Sequence, residues 1–227
     1  MSYPQHPETI ILKNSFYKKG LTELDIWNYY QKVKYQLLQE VRGRDLMFFI
    51  MVDVNKPIIR RTGKETKFIR LNISNYDELI TGRTISIHTA MKRIENIFIV
   101  DIDTDDFRQA KIAAIDTYNV ISRNPYIDDI SIRYSGKTSF HIFCNLKRNI
   151  NIDTIRVMFK NYLLESELKR KYTVSNKRTK GIVNLDLAPD KYRGNFIALN
   201  SLSILGLRCM KLFPTEVLGF QKERATI

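Results

Sequence analysis

Apolar and polar positions along this chain switch repeatedly between helical and strand spacing. Thr22 and Asp25 have the spacing of a helix start, and Ile26, Tyr30, Val33, Leu37 and Val41 then recur on one stripe, which predicts a first helix ending near Gly43. Leu46 to Val52 is a short apolar run, and Lys67 to Ile73 and Thr84 to His88 alternate. Three strands are therefore expected before a fourth, Ile97 to Asp103. From Asp106 to Ser122, Phe107, Ala110, Ala114 and Tyr118 share a helical stripe, and Asn124-Pro125 ends it. Ile130 to Tyr134 and Phe140 to Leu146 read as strands on either side of Ser135-Gly136-Lys137-Thr138-Ser139. Asp153 opens a helix that runs toward Lys171, Gly181 to Leu187 and Asn195 to Leu199 are further strands, and the tail from Phe213 carries no clear pattern. Helices and strands interleave without repeats or long linkers, which predicts an α/β (α+β) chain of two lobes with mixed sheets.

The strand Ile97-Phe98-Ile99-Val100-Asp101-Ile102-Asp103 departs from a simple core pattern. Alternation puts Asp101 and Asp103 on one face, with Phe98, Val100 and Ile102 on the other. Two carboxylates about 5 Å apart repel by about 3 kcal/mol at an effective dielectric of about 20. A divalent cation removes that cost, and hard oxygen ligands favour magnesium or manganese. The alternative is structural: an acid here can simply cap the helix that follows. Asp186 poses a related question, because it stands on the face of Ile182 and Asn184 in an otherwise apolar strand, where a charge needs a partner. Either Lys191 or Arg193, or a metal shared with Asp101 and Asp103, can supply one. The Ser135-Gly136 bend offers a hydroxyl and amides to a phosphate, Lys137 adds charge, and His141 shares a strand face with Phe143. An ordinary hairpin accounts for the same residues.

Composition narrows the class. At 227 residues and 44% hydrophobic content the chain can bury a proper core. Its 37 Lys and Arg against 24 Asp and Glu give a net charge of +13, which points to a polyanionic partner. Ten of those bases lie between Lys147 and Lys180, against only Asp153, Glu165 and Glu167. Cys144 and Cys209 sit in apolar stretches and form neither a disulfide framework nor a zinc site. With no run of about 18 apolar residues and no signal-peptide pattern, the expectation is a soluble intracellular protein, cytoplasmic or nuclear according to host, without membrane contact.

Taken in order, hydrophobic-Asp-x-Asp at Asp101 and Asp103, Ser-Gly-x-x-x-x-His from Ser135 to His141, and hydrophobic-Asp at Asp186 resemble the three motifs of the archaeo-eukaryotic primase-polymerase superfamily. The resemblance runs from about Leu21 to Leu207. Leu21-Thr22, Val41-Arg42-Gly43-Arg44 and Ile87-His88 look most like the polymerase domain of bacterial end-joining DNA ligases. It implies a two-lobed catalytic core with an RRM-like half, forming a single catalytic domain over 1–227 with an N-terminal lobe of about 1–90, a metal-binding lobe of about 91–212 and a tail over 213–227.

It further implies a template-dependent nucleotidyl transferase, a DNA primase or DNA polymerase, working in replication or repair. Two magnesium or manganese ions on Asp101, Asp103 and Asp186 would serve nucleoside triphosphates on a DNA template and a DNA or RNA primer. Ser135, Lys137, His141, His88 and Ser203 would contact nucleotide. Arg60, Arg61, Lys169, Arg170 and Lys171 would contact nucleic acid, and a replication or repair protein is an expected partner. The chain departs from the family at Ile197-Ala198-Leu199-Asn200-Ser201-Leu202-Ser203, where Ser203 stands in place of a basic triphosphate ligand that Arg193 or Arg208 could replace. The zinc insertion of replicative primases is absent. One rival is a catalytically silent relative that binds nucleic acid in replication initiation. Another is a transferase related to DNA polymerase beta, which needs a Gly-Ser pair where this chain has Lys92-Arg93-Ile94-Glu95-Asn96.

Overall fold

A computed structural model describes residues 3–60, 69–175, 179–187 and 189–227, the Arg60 side chain excepted. In chain order the elements are β1 (Ile10–Asn14), β2 (Tyr17–Thr22), α1 (Glu23–Lys32), α2 (Lys34–Glu40), β3 (Leu46–Asp53), β4 (Lys56–Arg60), α3 (Tyr76–Leu79), β5 (Thr84–Ala90), β6 (Ile94–Asp103) and α4 (Phe107–Ile121). They continue as β7 (Ile127–Tyr134), β8 (Phe140–Asn151), α5 (Ile152–Glu165), β9 (Thr173–Val174), β10 (Asn184–Asp186), β11 (Asn195–Ile197), β12 (Met210–Leu212) and α6 (Pro214–Val217). The chain divides into two units: residues 1–90, 196–209 and 221–227 form one, and 91–195 and 210–220 the other.

In the first unit a four-stranded sheet, ordered β11-β5-β3-β4, packs with a β1-β2 hairpin and the N-terminal helices. The predicted first helix is there but broken. Thr22 accepts from the Asp25 amide while Asp25 accepts from the Thr22 amide, the reciprocal cap that the spacing predicts. At Val33 the backbone leaves helical geometry (φ −98°, ψ 7°), and α2 starts afresh. The stripe nevertheless survives the break, since Ile26, Tyr30, Val33, Leu37 and Val41 are all buried. The strand expected from Lys67 to Ile73 is not formed in its described part, where Ile69 makes only an isolated bridge to Leu46. β3 takes its second neighbour from β4 instead.

The second unit is built on a six-stranded sheet ordered β12-β7-β8-β6-β10-β9. Its central four strands with α4 and α5 trace β6-α4-β7-β8-α5-β10, the split βαβ arrangement of ferredoxin-like and RRM-like folds. Both helices cover one face. Phe159 of α5 stacks on Phe98 at 4.0 Å, and Phe107 at the start of α4 stacks on Phe140 at 5.6 Å. α5 stops at Ser166 rather than continuing to Lys171, because Ser166 turns extended and its hydroxyl caps a separate 3-10 turn, Glu167–Arg170.

Candidate active site

Everything that follows in this site belongs to the second unit, on the sheet face that α4 and α5 leave uncovered. Registers decide which side chains meet there. In the antiparallel pairs Asp101 lies opposite His141 on β8 and opposite Asp186 on β10, while Asp103 lies opposite Asn184. Directly paired residues point to the same face. One row therefore crosses five strands as Asp186, Asp101, His141, Arg133 and Lys211, acids at one end and bases at the other. His141 Nε2 lies 3.5 Å from Asp101 Oδ1, with the imidazole buried and the carboxylate part-exposed. Arg133, also buried, lays its guanidinium 3.5 Å from the centre of the Phe143 ring.

The helix-capping alternative for the paired acids does not hold. α4 is capped by Asp106, whose side chain accepts from the amides of Arg108 at 2.8 Å and Gln109 at 3.1 Å. Asp101 and Asp103 remain strand residues, part-exposed on the face opposite the helices. The Ser135 turn, by contrast, closes on itself. The Ser135 hydroxyl donates to the Ser139 carbonyl at 2.9 Å, the Ser135 amide donates to the same carbonyl, and Tyr134 donates its hydroxyl to the Lys137 carbonyl. Gly136 takes φ +83°, which a side chain would resist. Lys137 is exposed at the tip, next to the row.

Other predicted residues lie elsewhere. His88 and Ser203 belong to the first unit. His88 sits on β5 within 2.9 Å of the Ser86 hydroxyl, and burial pushes its ring down to about 4, so it is neutral at neutral pH. The Ser203 hydroxyl accepts from the Leu205 amide and its carbonyl from the Gly206 amide, so it shapes the turn before Leu207. Arg60 ends β4 by its backbone; its side chain and Arg61 lie outside the described residues. Lys169, Arg170 and Lys171 follow α5 and so flank the helical layer, behind the sheet from the acids. Lys171 pairs with Asp116 of α4 at 2.9 Å, an acid that also accepts from Tyr172. The bases that do share the acid face, Arg133 and Lys211, were not singled out from sequence, since their place in the row depends on non-local register.

No family model and no curated protein matches the chain. Among solved structures, the polymerase domain of Ligase D from Mycobacterium tuberculosis, solved in complex with DNA, superposes with a TM-score of 0.71 over 92% of this chain and 88% of that one, at 15% identity. This chain has the fold of that polymerase domain. At 15% identity the likeness speaks to fold alone. Among the described residues, no helix is long and apolar enough to cross a membrane.

Proposed function

We propose that the chain is a template-directed nucleotidyl transferase of the primase-polymerase type, extending a nucleic-acid strand from nucleoside triphosphates. The observation that carries this reading is the register that puts Asp186, Asp101 and His141 in one row on paired strands, with Asp103 on the same face. The donor set fits a divalent metal pair: three part-exposed carboxylates, all hard oxygen ligands, on one sheet face. Among the described residues no three His, Cys, Asp or Glu side chains already converge into a metal cluster. Hard oxygen donors favour magnesium or manganese over zinc, and magnesium completes its shell with water and substrate phosphate.

Asp101, Asp103 and Asp186 would hold the ions. Bound there, they would activate the primer 3′-hydroxyl and stabilise charge on the departing pyrophosphate. His141 would donate to a phosphate oxygen beside Asp101, and Lys137 at the turn tip would offset triphosphate charge. Arg133 and Lys211 extend the row beyond His141 with positive charge, Arg133 buried and Lys211 exposed. The DNA in the Ligase D complex supports a nucleic-acid substrate, as does the net charge of +13.

The test is incorporation of labelled dNTPs or NTPs on a template, with and without primer, in magnesium and in manganese. Wild type should incorporate, while Asp101→Ala and Asp186→Ala should lose incorporation yet melt in chelator no lower than wild type, since each removes a like charge. A wild type that binds template without incorporating any nucleotide makes the chain a silent binding relative.

A further inference from the structure

On the metal reading just given, the three carboxylates occupy three corners of a rectangle on the sheet, and the fourth corner is Asn184. It faces Asp103 across the β6-β10 pair as Asp186 faces Asp101. Cross-strand side chains of this kind stand about 5 Å apart, and those two residues along a strand about 7 Å. Asn184 is 1% exposed, and neither its Oδ1 nor its Nδ2 has a hydrogen-bond partner among the described residues. Buried amides are almost always satisfied, and an exception in register with these carboxylates points to a water or ion as its partner. An amide oxygen is a hard donor of the kind magnesium and manganese accept. Being neutral, it adds a ligand without adding to the repulsion among three acids.

We propose that Asn184 is the fourth protein oxygen donor of the metal centre, its Oδ1 ligating the cation that Asp103 holds and its Nδ2 donating to a water in that cation's shell. The carboxamide thus links the metal site to the strand that carries Asp186. Asn184 also lies opposite Thr173 on β9, so the same strand ties the site to the sheet edge.

Manganese alone is the probe, counted on the full chain without nucleotide by the paramagnetic resonance of free ion and by calorimetry. Asn184→Leu should weaken manganese binding about tenfold or more, the range seen when a ligand's support is removed. Asn184→Asp should bind at least as tightly as wild type at pH 8 and lose that advantage as pH falls. In chelator, Asn184→Leu should melt at or above wild type, because a dry amide has been removed. Should that variant fail to fold, Asn184→Ser replaces it, with the same tenfold loss expected. Unchanged manganese affinity in the folded variant assigns Asn184 to packing and overturns the proposal. If wild type and Asp101→Ala show the same weak, unsaturable binding, the metal reading falls and takes the proposal with it. A wild type that binds well beside an indifferent Asn184 variant refutes the proposal alone.

Discussion

Asp190 shows how a single buried side chain sets a pH response. It is fully buried, its Oδ1 accepts from the Ile99 amide at 3.0 Å, and Oδ2 has no hydrogen-bond partner among the described residues. Burial raises its pKa well above the usual carboxylate range, the Ile99 amide and Arg156 pulling the other way and Asp186 and Glu95 reinforcing the rise. Because the folded value exceeds the unfolded one near 3.8, the folded state holds the proton more tightly. Stability from this group is complete below that pH and declines as pH rises through the folded value. Asp190→Asn imitates the protonated acid and keeps the acceptor for Ile99. Its melting temperature should match wild type near pH 4 and exceed it increasingly toward pH 8, followed by calorimetry; a gap independent of pH would refute the assignment. Alternation alone placed Asp101, Asp103 and His141 on their faces correctly. It also put Asn184 on the face of Asp186, but not beside Asp103, because that contact depends on a pairing across about 80 residues of chain.

Elements separate residues that look equivalent in the sequence. Ser135 and Lys137 lie in one predicted phosphate turn, yet the Ser135 side chain is bonded into it while Lys137 joins through its carbonyl and exposes its side chain. Ser135→Ala should therefore cost about 1 kcal/mol of stability as well as raising the apparent nucleotide KM, whereas Lys137→Ala should raise KM at unchanged stability. Denaturant titration beside steady-state incorporation distinguishes the two. The basic run tells the same story at larger spacing. Neutralising Lys169, Arg170 and Lys171, on the helical layer with Lys171 paired to Asp116, should leave the salt slope of template binding nearly unchanged. Neutralising Lys137 and Lys211 should flatten it by about one unit for each phosphate that then keeps its counterion. A flattened slope in the first set would place nucleic acid on the helical layer after all. The charge of the run was plain from sequence. Its side of the sheet was not, because that depends on where α5 ends and what Ser166 caps.

Across the whole molecule, the α/β class followed from the interleaving of strand and helix patterns, and the RRM-like half from the resemblance that the three motifs carry. Short elements were not legible. β1, β4 and β12 carry too few residues for a period to show, and the tail from Phe213 gives up only the one-turn α6 and a 3-10 turn over Lys222–Ala225. Nor could chain position show that residues 196–209 return to the first unit, with β11 completing its sheet and Ala198 and Leu202 in its core. The passage into that return is sterically narrow. Met91 and Gly194 are joined by a backbone hydrogen bond of 2.8 Å, and a Cβ at Gly194 would collide with the Pro189 carbonyl.

The strand that bears Asp186 is three residues long, and its outer neighbour β9 has only two, whereas Asp101 and Asp103 stand on a ten-residue strand paired along most of its length to β8. Two of the three carboxylates are thus held in the best-paired part of the sheet, and the third rides on its short margin. Amide protons of Asn184 to Asp186 should exchange with deuterium far sooner than those of Ile99 to Ile102, and a saturating divalent cation should slow the former while leaving the latter as they were. Cation capture would then be the event that stiffens the sheet edge, so that the site reaches working geometry only as it loads.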